Sequence, residues 1–246
     1  MTKELSIVQK LQNIADEINN SYEFTDKFIE KIKKWKQEEN IDNDLILKAV
    51  WEHRYDSPTL AYSLAVSYRW KVFTEKAHKS AFEWFEKAAE NGHIQSLNDL
   101  GVCYESGHGI ESDMSKAFEN YLKAAELGNI DGQSNVGSLY YFGLGTDQDM
   151  EKAVYWFRKA AYANASEAQY YLGSFYLDGD GVECDERKAF YWFNLCVRNT
   201  MLGECYEQGY GTPVDVHAAI KCFHKAYQIN CEISVYEKLC GVFKED

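Results

Sequence analysis

The sequence predicts an all-α protein, built as an α/α superhelical solenoid of helix-turn-helix repeats. Proline breaks helix interiors, and the 246 residues contain only two prolines, Pro58 and Pro213. Apolar residues recur at the three- and four-residue spacing of helix faces. The decisive observation is an internal repeat with spacings of 36, 36 and 30 residues, a period typical of stacked helical repeats.

Five residue columns carry this repeat through four copies. In order, they hold a glycine, a tyrosine, a pair of glycines separated by one residue, an aspartate and an alanine. Because all five columns recur together, chance is not a reasonable explanation. The columns are Gly101, Gly137, Gly173 and Gly203; Tyr104, Tyr140, Tyr176 and Tyr206; Gly107/Gly109, Gly143/Gly145, Gly179/Gly181 and Gly209/Gly211; Asp113, Asp149, Asp185 and Asp215; and Ala117, Ala153, Ala189 and Ala219.

Each column has a physical role in a pair of antiparallel helices, A and B. An apolar column four residues before the tyrosine marks the buried face of helix A, and the adjoining glycine admits a neighbouring helix. Helix A is expected to end at the first glycine of the pair, which accepts positive φ. The aspartate is placed to cap helix B. The apolar column is Leu100, Val136, Leu172 and Leu202; the stripe of helix B is, for example, Ala153, Val154, Trp156, Phe157, Ala160 and Ala161; the expected ends of helix B are Gly92, Gly128, Asn164 and Asn230.

A single helix pair cannot bury its own apolar face, so the pairs are expected to stack. Residues 57–93 are predicted to be a degenerate repeat, because Trp84 and Phe85 keep the core columns while Val72–Lys76 lacks the paired-glycine turn. Residues 94–231 are predicted to form the full repeats. Residues 232–246 are predicted to be a C-terminal capping helix, with Leu239 near the leucine column.

Residues 1–56 show helical patterns without the repeat columns, and we expect them to form an N-terminal helical cap. Thr25 is placed to cap the second helix and Asp42 or Asn43 the third, while Ser57-Pro58 is a strong helix start. A cap would shield the open end of the stack. The alternative is a separate docking or dimerisation segment. The predicted inward residues are Leu5, Val8, Leu11, Ile14 and Ile18; Phe28, Ile32 and Trp35; and Leu45, Ile46, Ala49 and Val50.

A longer motif connects these columns to a known family. The motif Leu100-Gly101-x-x-Tyr104-x-x-Gly107-x-Gly109-x-x-x-Asp113-x-x-Lys116-Ala117, followed by Lys123-Ala124-Ala125-x-x-Gly128, resembles the Sel-like repeat (SLR) family, relatives of the tetratricopeptide repeats. The resemblance covers roughly residues 57–240. It implies an adaptor that holds partners together. Many fungal members are fused to protein kinase domains or act with chitin synthase machinery, but this chain has no kinase signature, so only the scaffold role is implied.

One junction departs from the repeat. Between Asn199 and Thr200 the pattern lacks six residues, which correspond to Asn164–Gln169 of the preceding copy. Two antiparallel helices cannot reverse direction without a connection. The junction is therefore either a local structural defect or a place where the sequence lacks a loop. The intact flanking columns favour the missing loop.

Charge and composition limit the classes of partner. The 26 basic and 39 acidic residues give a net charge of −13, which repels phosphate backbones and anionic membranes, so we expect no nucleic acid partner. The N-terminus has no apolar run typical of a signal peptide, and no stretch approaches the roughly eighteen apolar residues of a membrane span. These features predict a cytoplasmic, intracellular protein without membrane insertion. The seven cysteines show no CxxC pair and are expected to be reduced residues at small core positions, a disulfide framework being the alternative.

No motif points to catalysis, a cofactor or a metal, so we expect none of the three. The paired glycines follow a helix and recur in every copy, which favours turns over a phosphate-binding loop. His217 and His224 lie about 10 Å apart along a helix, too far to share one zinc ion. Cys103 and Cys205 occupy the same repeat column, which favours packing over nucleophilic catalysis.

The resemblance to tetratricopeptide-like stacks implies that helix A lines a concave face, where a partner peptide or domain would bind. The groove positions mix tyrosines and carboxylates with almost no lysine, which favours a basic or hydrophobic protein segment as partner. The alternative is that these are ordinary solvated residues and that the interface lies on an edge or on the N-terminal cap. The predicted partner-binding residues are Tyr62, Arg69, Asn98, Glu105, Asp131, Ser134, Tyr141, Glu167, Tyr170, Leu177 and Glu207.

The predicted function is therefore a regulatory adaptor or scaffold and not an enzyme, and the sequence predicts no oligomeric state. Two alternatives stay open. An enzyme with an unrecognised pocket between the N-terminal helices and the stack would show converging His, Cys or paired carboxylates in a cavity. A fragment or regulatory tail of a larger, kinase-linked signalling protein is compatible with the abrupt C-terminus after Val242-Phe243-Lys244.

Overall fold

The computed structural model describes residues 3–18, 24–39, 41, 46, 49, 58–69, 78–196 and 199–230. Every regular element in these ranges is an α-helix, which confirms the predicted all-α class. Helices α3, α5, α7, α9 and α11 are helix A of successive pairs, and α4, α6, α8, α10 and α12 are helix B. In chain order the helices of the described part are α1 (Lys3–Ile18), α2 (Phe24–Glu39), α3 (Pro58–Arg69), α4 (His78–Glu90), α5 (Ile94–Ser106), α6 (Met114–Glu126), α7 (Ile130–Phe142), α8 (Met150–Tyr162), α9 (Ser166–Asp178), α10 (Glu186–Leu195), α11 (Asn199–Gln208) and α12 (Val216–Asn230).

The helices form two compact units, one ending at Asn129 and the other beginning at Ile130. In the first unit, α1 packs on α2 and α3, α3 packs on α4, α4 on α5, and α5 on α6. In the second unit, α7 to α12 pack in the same sequential way. Each pair thereby buries its apolar face against its neighbours within the unit, as stacked helical repeats do.

The predicted core positions are buried wherever their side chains are described. All four residues of the leucine column are buried, and so is every predicted member of the stripe on α8. Burying one of the leucine, valine or phenylalanine side chains among them stabilises the fold by about 1.5–3 kcal/mol. The buried residues predicted from the N-terminal patterns are Val8, Leu11, Ile14, Ile32, Trp35, Ile46 and Ala49.

Four aspartates cap the B helices as predicted. Oδ1 of Asp113, Asp149 and Asp185 accepts the backbone N–H three residues later at 3.0 Å, and Oδ1 of Asp215 does so at 2.9 Å. These bonds satisfy amide groups that have no partner within the helix. The predicted cap at Thr25 is wrong, because α2 already begins one residue before it.

The tyrosine column connects the end of helix A to the start of helix B. In all four full repeats the tyrosine carbonyl accepts the N–H of the capping aspartate at 2.7–3.0 Å. In three of them, a lysine three residues after that aspartate holds its Nζ 5.2–5.4 Å from the centre of the tyrosine ring. The same Nζ lies 2.8–3.6 Å from the aspartate carboxylate. This role of the lysine was not predicted, although its recurrence was visible. The pairs are Tyr104 with Lys116, Tyr140 with Lys152, and Tyr176 with Lys188.

Two glycine columns allow close approach between elements. A Cβ on the glycine after the leucine column would lie 2.5–3.0 Å from an aromatic ring carbon of helix B, which confirms the predicted contact. The second glycine of the pair has a role that was not predicted. A Cβ on Gly181 would lie 2.8 Å from the Met150 carbonyl oxygen, and one on Gly109 would overlap the His78 carbonyl. This glycine therefore lets the turn of one repeat rest on the start of helix B in the preceding repeat.

The shortened repeat closes with a connection of ordinary length. Helix α10 ends at Leu195 and α11 begins at Asn199, whereas α8 ends at Tyr162 and α9 begins at Ser166, so three residues connect the helices in both cases. Helices α10 and α11 have 10 residues each, where α8 and α9 have 13. The six-residue shortfall is thus divided equally between the two helices.

Some expectations fall outside the described residues. They are the caps at Asp42 or Asn43, the turn at Val72–Lys76, the helix at residues 232–246, and the inward side chains of Leu5, Ile18, Phe28, Leu45 and Val50. At the ends of helices B, Gly92, Gly128 and Asn164 adopt the predicted left-handed conformation, with φ of 87°, 91° and 66°. Asn230 does not occupy that position, because it is itself a helical residue of α12 (Val216–Asn230).

Candidate partner-binding surface

In the first unit the predicted contact residues do not form one exposed surface. Tyr62 and Asn98 are 3% and 5% exposed, so neither side chain can contact a partner without moving. The Tyr62 ring stacks on the imidazole of His93, with ring centres 4.1 Å apart. Glu105 is exposed but accepts a hydrogen bond from the Tyr121 hydroxyl at 2.6 Å. For Arg69 only the backbone is described, as the last residue of α3.

In the second unit more of the predicted residues lie at the surface. Asp131 and Glu167 are exposed, whereas Ser134 is 8% exposed and contributes to packing. Leu177 and Glu207 are partly buried. Of the residues predicted on this unit, Asp131 and Glu167 are therefore accessible to a partner, and Ser134 is not.

Tyr141 of α7 and Tyr170 of α9 belong to one aromatic cluster. The Tyr141 ring lies 5.9 Å from Tyr171 and 5.4 Å from Phe175, and the Tyr170 ring lies 5.7 Å from Tyr171. Both tyrosines are partly buried, so their inner edges support the core while their outer edges face solvent. The geometry gives helices A of this unit a rigid aromatic surface, which suits a binding role because little side-chain entropy is lost on contact.

Phe142 extends this aromatic surface and was not predicted. Its side chain is 55% exposed, and its ring lies 4.7 Å from that of Tyr141 in an edge-on arrangement. The corresponding residues of the other full repeats are Ser106, Asp178 and Gln208. A phenylalanine in a column that is otherwise polar was the sequence signal that could have identified it.

The A helices of the second unit are acidic without exception. Helices α7, α9 and α11 contain five acidic residues and no lysine or arginine. A surface with this composition attracts cationic segments and repels anionic ones. The acidic residues are Asp131, Glu167, Asp178, Glu204 and Glu207.

The shifted pKa values of three ionisable side chains have structural causes. Burial, followed by the hydrogen bond to Glu105, raises the pKa of the Tyr121 hydroxyl far above its usual range. The hydrogen bond from the Lys152 backbone amide lowers the pKa of Asp149, and the hydrogen bond with the Lys188 side chain lowers that of Asp185. In each case the pKa shift favours the protonation state that makes the local hydrogen bond, which is neutral for the Tyr121 hydroxyl and ionised for the two aspartates.

The described cysteines are free thiols, and three of them fill core positions as predicted. Cys103, Cys196 and Cys205 are buried, and burial raises the pKa of Cys205 to about 11. Cys184 departs from the prediction, because it is exposed and donates a hydrogen bond to the Leu177 carbonyl at 3.3 Å. Cys222 is partly buried, and burial raises its pKa too.

A cavity of about 310 Å³ lies in the first unit, lined by residues of α1 and α2 together with Ile41. Its ionisable lining residues are Lys10 and Glu39, without histidine, cysteine or a second carboxylate. That lining does not supply the paired groups of general acid–base catalysis. In the part of the chain that is described, no three His, Cys, Asp or Glu side chains are grouped to hold a metal ion. None of the described helices combines the length and apolar character needed to cross a membrane.

Comparisons with known proteins agree with this architecture. The family model described as "Sel1 repeat" matches residues 62–93, 94–129, 130–164, 166–195 and 199–230. The crystal structure of a Sel1 repeat protein from Oxalobacter formigenes is 26% identical, with a TM-score of 0.76, and the match covers 87% of this chain and 85% of that one. No protein of the curated set matches the sequence significantly.

A second solved structure shows the same fold over a longer span. The protein c5321, described as a protective antigen present in uropathogenic Escherichia coli strains and displaying an SLR fold, is 20% identical with a TM-score of 0.78. The match covers 97% of this chain but 52% of that one, so the chain spans about half the length of that protein. Sel1 repeats generally mediate protein–protein interaction, and proteins built from them are typically non-enzymatic scaffolds. With five repeats matched over most of its length, this chain belongs to the Sel1 repeat family.

Proposed function

We propose that this protein is an adaptor, and that the surface formed by helices A of the second unit binds a basic segment of another protein. In stacks of this type, that side lines the concave face. The observation that carries the proposal is the composition of α7, α9 and α11, which have five acidic residues and no basic one. The attraction between such a surface and Lys or Arg side chains is strongest where solvent is partly excluded.

The aromatic surface gives the partner an apolar anchor beside these charges. Phe142 is largely exposed, and Tyr141 and Tyr170 present their outer edges. Aromatic side chains of this kind contribute most of the binding energy at protein interfaces, while surrounding charges set orientation and association rate. The partner segment is therefore basic and also carries apolar side chains.

The test uses a fluorescein-labelled amphipathic peptide of Lys, Leu and Phe, with fluorescence anisotropy as the measurement. Asp131→Lys combined with Glu167→Lys should weaken binding by about tenfold or more, since two exposed attractive charges become repulsive. Binding to the natural chain should also weaken as salt is added. A Phe142→Ser variant, which introduces the residue found at position 106, should weaken binding without altering its salt dependence.

The matched control is Glu119→Lys combined with Glu126→Lys on α6, which makes the same change in net charge on a B helix of the first unit. Both residues are exposed, so the fold should tolerate the change. Equal binding by the test and control variants would contradict the proposed surface. Glu105 is a poor choice for this test, because replacing it also breaks the hydrogen bond from Tyr121.

A further inference from the structure

Three tyrosines on the B helices of the second unit are exposed where other repeats have charged residues or, in one case, a glutamine. Tyr155, Tyr162 and Tyr191 are 50%, 70% and 54% exposed. The residues in the register of Tyr155 and Tyr191 are otherwise Glu83, Glu119 and Lys221, and those in the register of Tyr162 are Glu90, Glu126, Arg198 and Gln228. The fold is therefore compatible with charged side chains at these positions, and packing does not explain why tyrosines occupy them.

The three tyrosines belong to one continuous surface. The Tyr162 ring of α8 lies 5.2 Å from the Trp192 ring of α10, and the Tyr191 ring lies 5.1 Å from the same tryptophan. On α8, residues 155, 158, 159 and 162 follow the spacing of a single helix face. Two B helices thus contribute aromatic rings to a shared patch.

Basic side chains lie among these rings. Arg158 and Lys159 share the exposed face of α8 with Tyr155, and Arg187 lies one turn before Tyr191 on α10. Lys159 Nζ lies over the Tyr155 ring, 4.8 Å from its centre, and 4.9 Å from the centre of the Trp156 ring, so its charge lies against the aromatic surface. We call this set the aromatic-basic patch: Tyr155, Arg158, Lys159, Tyr162, Arg187 and Tyr191.

The second unit has opposite charges on its two kinds of helix. Helices α8, α10 and α12 contain seven basic residues and two acidic ones, in contrast to the acidic α7, α9 and α11. Two of the seven, Lys152 and Lys188, are paired with the capping Asp149 and Asp185, which leaves five others. In the first unit the B helix α6 has two lysines and two glutamates, so the bias is specific to the second unit. In a protein with a net charge of −13, a basic face is a local feature that needs an explanation.

We infer that the aromatic-basic patch binds an acidic segment of another protein. Its carboxylates pair with Arg158, Lys159 and Arg187, and its apolar side chains cover the exposed parts of the tyrosine rings. The exposed area of the three tyrosines is roughly 350 Å², at about 200 Å² per residue, which is less than half of the roughly 800 Å² that each partner of a standard interface buries. A short segment fits this area better than a second copy of the chain.

This inference goes beyond the proposed function, because it places a second binding surface on different helices with the opposite charge preference. An adaptor with an acidic A surface and a basic B surface can hold two unlike partners at once. Binding at one surface leaves the other accessible, since no residue is shared between them. The protein then brings a basic segment and an acidic segment together.

The experiment measures anisotropy of a fluorescein-labelled amphipathic peptide of Glu, Leu and Phe. We expect saturable binding that Lys159→Glu weakens by about tenfold or more. Tyr155→Glu combined with Tyr162→Glu, which introduces the residues found at positions 119 and 126, should weaken it similarly and still fold. The matched control is Lys123→Glu, which makes the same charge change at the same register in the preceding repeat, beside Glu119 and Glu126, and should leave binding unchanged.

Three outcomes would overturn the inference. They are absence of saturable binding, equal weakening by Lys159→Glu and Lys123→Glu, and concentration-dependent self-association in analytical ultracentrifugation that the tyrosine variants abolish, which would make a second copy the occupant. Measuring the binding of the basic peptide to the same variants distinguishes failure of this inference from failure of the proposed function. Asp131→Lys with Glu167→Lys should affect the basic peptide alone, and the patch variants the acidic peptide alone.

Discussion

The Tyr121 hydroxyl donates a 2.6 Å hydrogen bond to Glu105 Oε2, which connects α6 with α5 in the first full repeat. The tyrosine side chain is 1% exposed, whereas the glutamate is exposed. In the other three full repeats the register of Tyr121 holds Phe157, Phe193 and Phe223, so the bond is specific to this repeat. Removing the acceptor and removing the donor should therefore lower the free energy of unfolding by different amounts.

Removing the acceptor should be more damaging than removing the donor. Glu105→Ala leaves a buried hydroxyl without its acceptor and should lower the free energy of unfolding by about 1–3 kcal/mol. Tyr121→Phe leaves a carboxylate that water can hydrate and should cost about 1 kcal/mol or less. Urea unfolding followed by circular dichroism measures both. The double variant should be no less stable than Glu105→Ala alone, and a greater loss for Tyr121→Phe than for Glu105→Ala would contradict this account.

Alanine substitutions at Gly109 and Gly92 distinguish the cost of backbone strain from the cost of steric overlap. Their φ angles are nearly equal, 83° and 87°, so alanine is strained to the same extent at both. A Cβ at Gly92 meets nothing within 4 Å, whereas one at Gly109 overlaps the His78 carbonyl. Gly92→Ala should therefore cost about 1 kcal/mol, and Gly109→Ala about 1–3 kcal/mol more. An equal decrease in the free energy of unfolding for the two variants, measured by urea unfolding, would show that the contact between the turn and α4 contributes nothing to stability.

Much of the fold could be predicted because the repeat displays the same physical requirement several times. Asp149 caps a helix and Gly173 faces the Phe193 ring, and each has equivalents in other copies that reveal its role. Contacts within one repeat leave such columns in the sequence. The burial of the leucine column and the positions of helices A and B followed from that periodicity.

Exposure at single positions could not be predicted in the same way. Tyr62 and Asn98 were assigned to a groove by register, but tertiary packing buries both. The exposure of Phe142 and Tyr162 was not predicted, because both residues depart from the recurring columns on which the prediction was based. Departures from the repeat, rather than its consensus, indicate the candidate binding surfaces of this protein, since the fold itself does not require them.

Cys184 and Cys205 should differ strongly in reactivity. Cys184 is exposed, whereas Cys205 is fully buried and burial raises its pKa to about 11. At pH 8 the thiolate fraction of Cys205 is then roughly one in a thousand. Iodoacetamide labelling of the folded protein, read by peptide mass spectrometry, should modify Cys184 and spare Cys205. In urea both should react, and rapid labelling of Cys205 in the folded state would contradict its placement in the core.

His93 should make the first unit sensitive to acid. Its Nδ1 accepts the Ser96 N–H at 3.3 Å at the start of α5, and its ring stacks on Tyr62. Burial lowers the pKa of His93 from 6.5 to about 4, so the folded state holds the neutral imidazole. Protonation would also remove the lone pair that accepts the Ser96 amide.

The direction of the pH effect follows from which state binds the proton. Below about pH 6.5 the unfolded chain protonates His93 while the folded chain does not, so the free energy of unfolding falls as the pH is lowered, until the pH reaches about 4. The full loss from this residue is about 3 kcal/mol. His93→Asn should abolish that part of the pH dependence and keep the helix cap, because asparagine caps helices well and Asn129 occupies the same register before α7. Urea unfolding of both proteins at about pH 7.5 and pH 4.5 measures the difference, and identical pH dependence would show that His93 titrates alike in the folded and unfolded chains.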